Sequence, residues 1–248
     1  MLGIEFDEVL SMEALRQYGK LYLTMIVCFG VAALLAASLG NEAQSVSGEG
    51  SGSVIYLDPG HGGEDGGAVS ITGVSESGIN LEVALRLRDL LRLCGLQTEM
   101  TRDGDYAIYD ADCETIAQKK ASDLRNRVAL LQQSPGAILL SIHQNQFTDE
   151  KYYGSQVFYN NGPESEHLAR TMQEALRIGL DRENNREIKQ AEGVYLMEQI
   201  QNTAVLVECG FLSNREEEAK LRTDAYQKEI VCAISGGLMR FLVEQSLL

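Results

Sequence analysis

Residues 54–248 are predicted to form one α/β domain, with a mostly parallel or mixed sheet flanked by helices. Three observations support this fold class: short apolar runs alternate with amphipathic stretches, no second linker interrupts them, and no internal repeat is present. Alternation of this kind is typical of helices packed on both faces of a sheet. A segment of about 195 residues is also long enough to bury one substantial core.

Five short apolar segments bounded by polar or turn residues are predicted strands. They are "VIYLD" (54–58), "LQTEMTR" (96–102), "AILLSIH" (137–143), "SQVFYN" (155–160) and "AVLVE" (204–208). Apolar residues at helical spacing predict helices over 77–93, 121–133, 164–179, from about 213, and over about 224–245.

Polar residues on two of these helices carry further expectations. Glu82 and Arg86 are spaced i,i+4, so they are expected to pair on the exposed face of the first helix. Ser213 or Asn214 is expected to cap the helix that begins near 213. Glu216 to Glu218 then form its charged first turn, with no further role expected of them.

The N-terminal segment is predicted to lie in a membrane. Residues 21–40 carry no charge and are long enough to cross a bilayer as a helix. Arg16 and Lys20 precede them, so the positive-inside rule places residues 1–20 in the cytoplasm and the main domain outside it. A buried core helix is the alternative. Four acidic residues in the leader favour a retained anchor over a cleaved signal, and residues 41–53 are predicted to be a Gly/Ser-rich linker.

Composition argues against one class of partner and does not determine whether the cysteines form disulfides. The net charge of −15 and the absence of a basic patch argue against nucleic acid. Cys94, Cys113, Cys209 and Cys232 fit no Cys-x-x-Cys motif. A disulfide among them is compatible with an extracytoplasmic location, but the sequence cannot pair them.

The segment "VIYLDPGHGGEDGGAV" (54–69) embeds one of only three histidines, His61, among glycines. A phosphate cradle should lead directly into a helix and supply a cation, but this loop has no Lys and contains Glu64 and Asp65. A calcium loop needs six to eight oxygen ligands at regular spacing, which the acids here do not have. A transition-metal site is the remaining interpretation.

Polar residues at three predicted strand ends support that interpretation. His61 follows the first strand, "SIHQN" places Ser141, His143 and Asn145 at the end of another, and Glu208 ends a third. In open α/β sheets ligands bind beyond the carboxyl ends of the strands, so these side chains are expected to converge. Two histidines with a carboxylate are the donors of a catalytic zinc site.

The residues alone leave the third ligand open. The carboxylate candidates are Glu64, Asp65, Glu76, Glu82 and Glu208. Glu208 has apolar neighbours on both sides, so burial is expected to raise its pKa toward a value that suits a general base. The competing interpretation is that each histidine is a hydrogen-bonded structural residue at a strand end. His167 lies within a predicted helix and is expected to be a surface residue.

Four segments together resemble one enzyme family: "IYLDPGHGGEDGGA", "ESGINLEVALRLRDLL", "LLSIHQN" and "AVLVECGFLSNREEE". In order and spacing they are similar to the zinc-dependent N-acetylmuramoyl-L-alanine amidases of type 3, which are bacterial peptidoglycan hydrolases. The resemblance covers residues 54–246. It implies a six-stranded sheet like that of the zinc exopeptidases.

The resemblance also assigns the site. His61, Glu76 and His143 match the ligands of one Zn²⁺ per chain, and Glu208 matches the catalytic glutamate. Ser77 and Gly78 depart from the family pattern, which more often has a charged residue after the ligand glutamate. Asn145 is expected to support His143 or the substrate.

Within the family, the single anchor and the segment 183–197 resemble the germination-specific branch, which removes stem peptides from muramic acid in the spore cortex before muramic-δ-lactam forms. The implied partners are peptidoglycan muropeptides, a lipoprotein or a peptidoglycan deacetylase, and the membrane through the anchor. The implied location is extracytoplasmic, either membrane-anchored or secreted, in the forespore or spore envelope.

Three alternatives to this function are a vegetative amidase of cell separation or lysis, an inactive peptidoglycan-binding homologue, and a zinc carboxypeptidase or aminopeptidase. An inactive homologue should have lost a ligand or the base, yet all four positions are intact. A peptidase should show a pocket for a peptide terminus, and the sequence shows none.

Overall fold

The computed structural model describes residues 53–246. The predicted leader, the apolar segment 21–40 and nearly all of the linker lie outside the described residues, so the anchor stays a prediction. Among the helices of residues 53–246, none has the length and apolar character needed to cross a bilayer.

The described residues form a six-stranded sheet and six helices. The strands are β1 (Ile55–Pro59), β2 (Thr98–Met100), β3 (Ile138–Asn145), β4 (Gln156–Tyr159), β5 (Lys189–Gln190) and β6 (Thr203–Phe211). The helices are α1 (Glu76–Leu93), α2 (Ile116–Gln132), α3 (Pro163–Gly179), α4 (Tyr195–Gln199), α5 (Arg215–Leu221) and α6 (Asp224–Ser246).

The sheet has the strand order β2-β1-β3-β6-β4-β5. All neighbouring strands are parallel except β4, which runs antiparallel to β6. The predicted α/β class with a mixed sheet is therefore confirmed. The carboxyl ends of β1, β3 and β6 meet at one edge, and the start of β4 joins them there because of its reversed direction.

Helices cover both faces of the sheet. Alternate side chains of the central strands, such as Leu140 and Val207, enter a core with α1, α3 and α6. The intervening side chains, such as Leu139 and Leu206, pack with α2 and α4. Because successive strand residues point to opposite faces, the polar residues that end β1, β3 and β6 in this second series open toward α2 and α4.

Two elements escaped prediction and one begins earlier than expected. Strand β5 consists of only two residues, both exposed, and helix α4 consists of only five. Neither is long enough to show a period in the sequence. Helix α2 begins at Ile116, not at 121, because Thr115 and Gln118 form a capping box that starts it. Its first residues, "IAQKK", lack the apolar spacing that marks the rest of the helix.

The predicted pairing of Glu82 with Arg86 is wrong. Arg86 forms an ion pair with Asp224 at the start of α6, and it reaches only the backbone carbonyl of Glu82. The Glu82 carboxylate instead accepts a hydrogen bond from Gln227 of α6 at 2.8 Å. Both side chains tie α1 to α6, because packing of the two helices brings closer partners than the next turn offers.

Asn214 caps α5, as predicted, by accepting hydrogen bonds from the backbone amides of Glu216 and Glu217. The expectation that Glu216 to Glu218 serve only as a charged first turn is wrong for two of them. Glu217 accepts from the amides of Gly154 and Phe211, at 2.9 and 2.8 Å. The carboxylate of buried Glu218 accepts from Ser70 and Thr72, which ties the loop before α1 to α5.

Candidate metal centre

Two of the predicted residues lie side by side on the neighbouring central strands. His143 of β3 and Glu208 of β6 are partners in the parallel register. Both belong to the series of side chains that opens toward α2 and α4. Beyond this pair the register shifts by one residue, so that Asn145 pairs with Phe211.

Glu76 enters the same site from the first turn of α1. It is buried, and its Oε1 lies 2.8 Å from His143 Nδ1. The same oxygen accepts from Asn80 and from the Gln144 amide, while Oε2 accepts from the Ala68 amide at 2.9 Å. Burial alone would raise the pKa of Glu76, but its contacts with His143 and His61 lower that pKa well below its usual range. The positive end of the helix dipole also favours the anion.

His61 occupies a strained backbone position, with φ at 62°, which is rare for a residue other than glycine. Its Nε2 lies 3.3 Å from Glu76 Oε2, and its Nδ1 lies 3.0 Å from Asp65 Oδ2. Burial would lower the pKa of His61, but Asp65 and Glu76 raise it to about 9. Strained residues of this kind are found at functional sites, where contacts with the surrounding structure hold the backbone in place.

His61, Glu76 and His143 therefore form a cluster that could hold a metal ion. One donor atom from each lies within 4.8 Å of the others. The two glycines nearest the cluster keep that space open. A Cβ on Gly60 would lie 2.2 Å from the His143 ring, and a Cβ on Gly67 would lie 2.5 Å from the His61 ring and 2.6 Å from Glu76. Two imidazoles and one carboxylate fit a divalent transition metal with an open position.

Glu208 lies beside this cluster with an unsatisfied carboxylate. Its Oε2 is buried and has no hydrogen-bond partner among the described residues. Burial raises the pKa of Glu208 to about 7, with the charge of Glu76 adding to the rise and that of His143 opposing it. A buried carboxylate without a donor is poised to take a proton from a nearby group.

The remaining acidic candidates do not join the cluster. Glu64 is exposed and pairs with Lys119, and Glu82 lies on the far side of α1. Asp65 instead contacts a ligand from behind, since its Oδ2 accepts from His61 and lies 3.2 Å from Lys120 Nζ. Its carboxylate fixes the orientation of the imidazole, as partners of metal-bound histidines commonly do.

Two buried arginines that the sequence analysis missed hold the loop that carries His61. Arg127 of α2 contacts Asp58 at 2.5 Å and donates to the carbonyl of His61 at 2.8 Å. Arg102 donates to the carbonyls of Pro59, Gly60 and Ser77, each at 2.9 Å, so one guanidinium joins both ligand-bearing segments. The signal available was the pair Thr101-Arg102 at the end of a predicted strand, at the same sheet edge.

A cleft of about 380 Å³, lined in part by His61, His143 and Glu208, opens between α2 and α4. Its floor is Ser141 and Leu206 from the central strands, and its apolar wall includes Leu124 and Met197. Lys120 stands at the wall nearest His61. A cleft with an apolar wall and a few convergent polar groups is the usual form of a substrate site.

Comparison with protein families identifies this arrangement. Residues 55–240 match the family model described as N-acetylmuramoyl-L-alanine amidase. The chain belongs to this amidase family. The predicted family and enzyme class are therefore confirmed.

Individual relatives agree with the family. The chain is 39% identical over 196 residues to the germination-specific N-acetylmuramoyl-L-alanine amidase of Bacillus subtilis, covering 79% of this chain and 82% of the relative. It is 29% identical to the amidase AmiA of Escherichia coli, over 84% of this chain and 82% of the relative. These proteins extend the likeness well beyond the four motifs.

Among solved structures, the amidase is similar to CwlD of Clostridioides difficile, which was determined in complex with the GerS lipoprotein. The TM-score is 0.75 at 38% identity, over 77% of this chain and 98% of that one. A second N-acetylmuramoyl-L-alanine amidase from Clostridium difficile 630 gives a TM-score of 0.68 at 28% identity, over 77% and 97% of the two chains.

Three smaller expectations can be compared with the structure. His167 is exposed and pairs with Glu244, as expected of a surface helix residue. No hydrogen bond links Asn145 to His143 within residues 53–246; Gln144 and Asn80 support Glu76 instead. Cys94, Cys113, Cys209 and Cys232 are free thiols.

Proposed function

We propose that this amidase hydrolyses the amide bond between N-acetylmuramic acid and the L-alanine of the peptidoglycan stem peptide. His61, Glu76 and His143 hold one Zn²⁺, and Glu208 is the catalytic base. The observation that carries the proposal is the convergence of those three donors within 4.8 Å beside the Glu208 carboxylate, one oxygen of which is buried and lacks a partner.

Zinc bound at this site would polarise the scissile carbonyl and lower the pKa of a bound water. Glu208 takes a proton from the attacking water and returns one to the leaving amine, for which a pKa near 7 is well matched. Asp65 holds the His61 ring, while Asn80 and the Gln144 amide hold the Glu76 carboxylate. The site is thereby fixed before the substrate arrives.

The cleft between α2 and α4 suits the peptide side of the substrate. Its apolar wall of Leu124 and Met197 can cover short aliphatic side chains. Lys120 is half-exposed at its edge and offers a cation to the acidic stem peptide. The net charge of −15 would repel such a substrate. A cation at the edge of the cleft would offset that repulsion where the peptide binds.

The biological role proposed is maturation of the spore cortex, ahead of muramic-δ-lactam formation by a deacetylase. The B. subtilis relative is germination-specific, and the C. difficile neighbour was determined with a lipoprotein. By this likeness a lipoprotein is proposed as a partner of the present chain. The enzyme acts outside the cytoplasm, held to the membrane by residues 21–40.

Digestion of purified muropeptides by the full chain tests the activity. With zinc present, mass analysis should find free stem peptides that begin at L-alanine, and a chelator should abolish their release. Intact muropeptides in the presence of zinc and of the cognate lipoprotein would contradict the proposal. For the cortex role, spores of a strain lacking the gene should contain no muramic-δ-lactam; normal lactam would instead indicate a vegetative amidase.

A further inference from the structure

Three aromatic side chains form an exposed surface next to the metal centre. Phe147, Tyr152 and Tyr153, here called the aromatic platform, follow β3 and precede β4. Phe147 and Tyr153 are 55% and 51% exposed, and Tyr152 is 36% exposed. The rings of Phe147 and Tyr152 pack edge to face at 4.8 Å, and Tyr152 stacks on buried Phe211 at 6.4 Å. The proposed reaction at the metal uses none of them.

The loop that carries the platform is held unusually firmly for a surface segment. The Phe147 amide donates to the hydroxyl of buried Ser213 at 3.1 Å. The carbonyl of Tyr153 accepts from Arg186 at 2.6 Å. Glu217 accepts the Gly154 amide, and Asn184, which is buried, donates to the Ser155 carbonyl at 2.8 Å. Exposed aromatic rings on a fixed backbone lose little entropy when they bind, as binding surfaces require.

The tyrosines also line a shallow groove of about 250 Å³. Its other walls are polar: Lys151, Glu183, Asn184, Asn185 and Arg186. Sugars present apolar C–H faces bordered by hydroxyl groups. A ring face that attracts C–H groups, surrounded by amide and charged donors, is complementary to that pattern. The core of a protein interface would instead be depleted of charged side chains.

The platform lies on the edge of the sheet that bears the base. Gln156, the first residue of β4, is the register partner of Glu208. Tyr153 precedes Gln156 by three residues. The reach of three extended residues plus the spacing between strands places the backbone of Tyr153 within roughly 15 Å of that of Glu208. A glycan strand running outward from a muramic acid at the metal would reach the platform within a few sugars.

We propose that the aromatic platform and its groove bind the glycan strand on one side of the muramic acid whose peptide is removed. This inference rests on the proposed function. It assigns the groove to N-acetylated sugars of a polymer and the cleft between α2 and α4 to the peptide. The amidase then prefers polymeric peptidoglycan to short fragments.

Kinetics on two substrates test the inference with the full chain and zinc. One substrate is polymeric peptidoglycan, and the other is a soluble muramoyl peptide with no neighbouring sugar. Tyr153→Ala is expected to lower the ratio of kcat/KM for polymer over fragment by about 10-fold, mainly through KM. Ile178→Ala, which removes an exposed side chain from α3, is the matched control and should keep the wild-type ratio.

An equal loss on both substrates, or no loss on the polymer, would overturn the glycan assignment. Failure of the wild type on both substrates would instead sink the proposed function. Binding separates the two independently of turnover: Glu208→Gln should bind peptide-free glycan strands, and adding Tyr153→Ala should weaken that binding about 10-fold. Equal binding by the two proteins would overturn the inference and leave a protein partner as the occupant of the platform.

Discussion

At the scale of single residues, Glu208 combines burial with a carboxylate oxygen that has no partner. We predict that Glu208→Gln retains zinc and loses at least about 100-fold in turnover, because the amide is nearly isosteric but cannot accept the proton. Metal analysis beside muropeptide digestion measures both effects. Loss of zinc from this variant would mean that Glu208 is a ligand and that another carboxylate is the base.

Asp65 acts through His61, so its effect should appear in metal affinity. Asp65→Asn weakens the charged contact that orients the imidazole, and we expect zinc affinity to fall about 10- to 100-fold. Glu64→Gln is the matched control, because the Glu64 carboxylate is next to Asp65 in sequence but pairs with Lys119 at the surface. Competition with a chromogenic chelator measures the affinity. Equal affinities in the two variants would remove Asp65 from this role.

The sequence predicted the residues of the candidate site better than it predicted the side chains that hold them. His61, His143 and Glu208 could be found because each follows an apolar strand. Asp65 is only one of five candidate ligands in the sequence, and Asp58 has no predicted role. Asp58 is buried against Arg127, and Asp65 contacts His61, because partners 69 and 4 positions away, respectively, meet them in the fold.

At the scale of the elements, the turn after β1 must approach β3 closely. Gly60 has an ordinary φ, so a side chain there is excluded only by the His143 ring, 2.2 Å from the position of a Cβ. We predict that Gly60→Ala displaces the ring and lowers zinc affinity by at least about 10-fold.

Gly78→Ala in α1 is the control, because a Cβ there meets no atom within 4 Å. That substitution should raise the free energy of unfolding by about 0.5–1 kcal/mol, since alanine favours the helix. Thermal unfolding and zinc titration of both variants provide the comparison. Unchanged zinc affinity in Gly60→Ala would show that the loop can move away at little cost.

Long elements were predictable and short ones were not. Helices α1, α3 and α6 have enough turns for apolar spacing to show, and they lie within a residue or two of the predicted bounds. Strand β5 and helix α4 are stabilised by their contacts with neighbouring elements, not by their own pattern. Helix α4 still supplies one wall of the cleft. Its contribution to the site therefore could not be predicted.

At the scale of the whole molecule, acid stability depends on the buried pair of Asp58 and Arg127. Burial would raise the pKa of Asp58, but Arg127 and hydrogen bonds from Ser141 and Thr101 lower it to about 2. The stabilisation is complete above the unfolded value of 3.8 and is lost as the pH falls through about 2. It amounts to about 2 kcal/mol.

Denaturant unfolding measured from pH 5 to pH 2 should show that loss. Asp58→Asn should lower stability at pH 5 by about 3–5 kcal/mol, because it leaves Arg127 buried with less compensating charge. The variant should also lose less than the wild type on further acidification. Parallel pH profiles for the two proteins would show that Asp58 does not titrate in this range.

By itself the sequence determined the α/β class, the strands whose carboxyl ends form the candidate site and, through the family resemblance, the four residues proposed for it. These are local patterns: strand runs, helical spacing and polar residues at strand ends. Only the tertiary structure decided how the ligands are held by Arg102, Arg127 and Asp65, and which surfaces border the metal. The contacts of the two arginines join segments far apart in the chain, and hydrogen bonding between such segments leaves no periodic signal in the sequence.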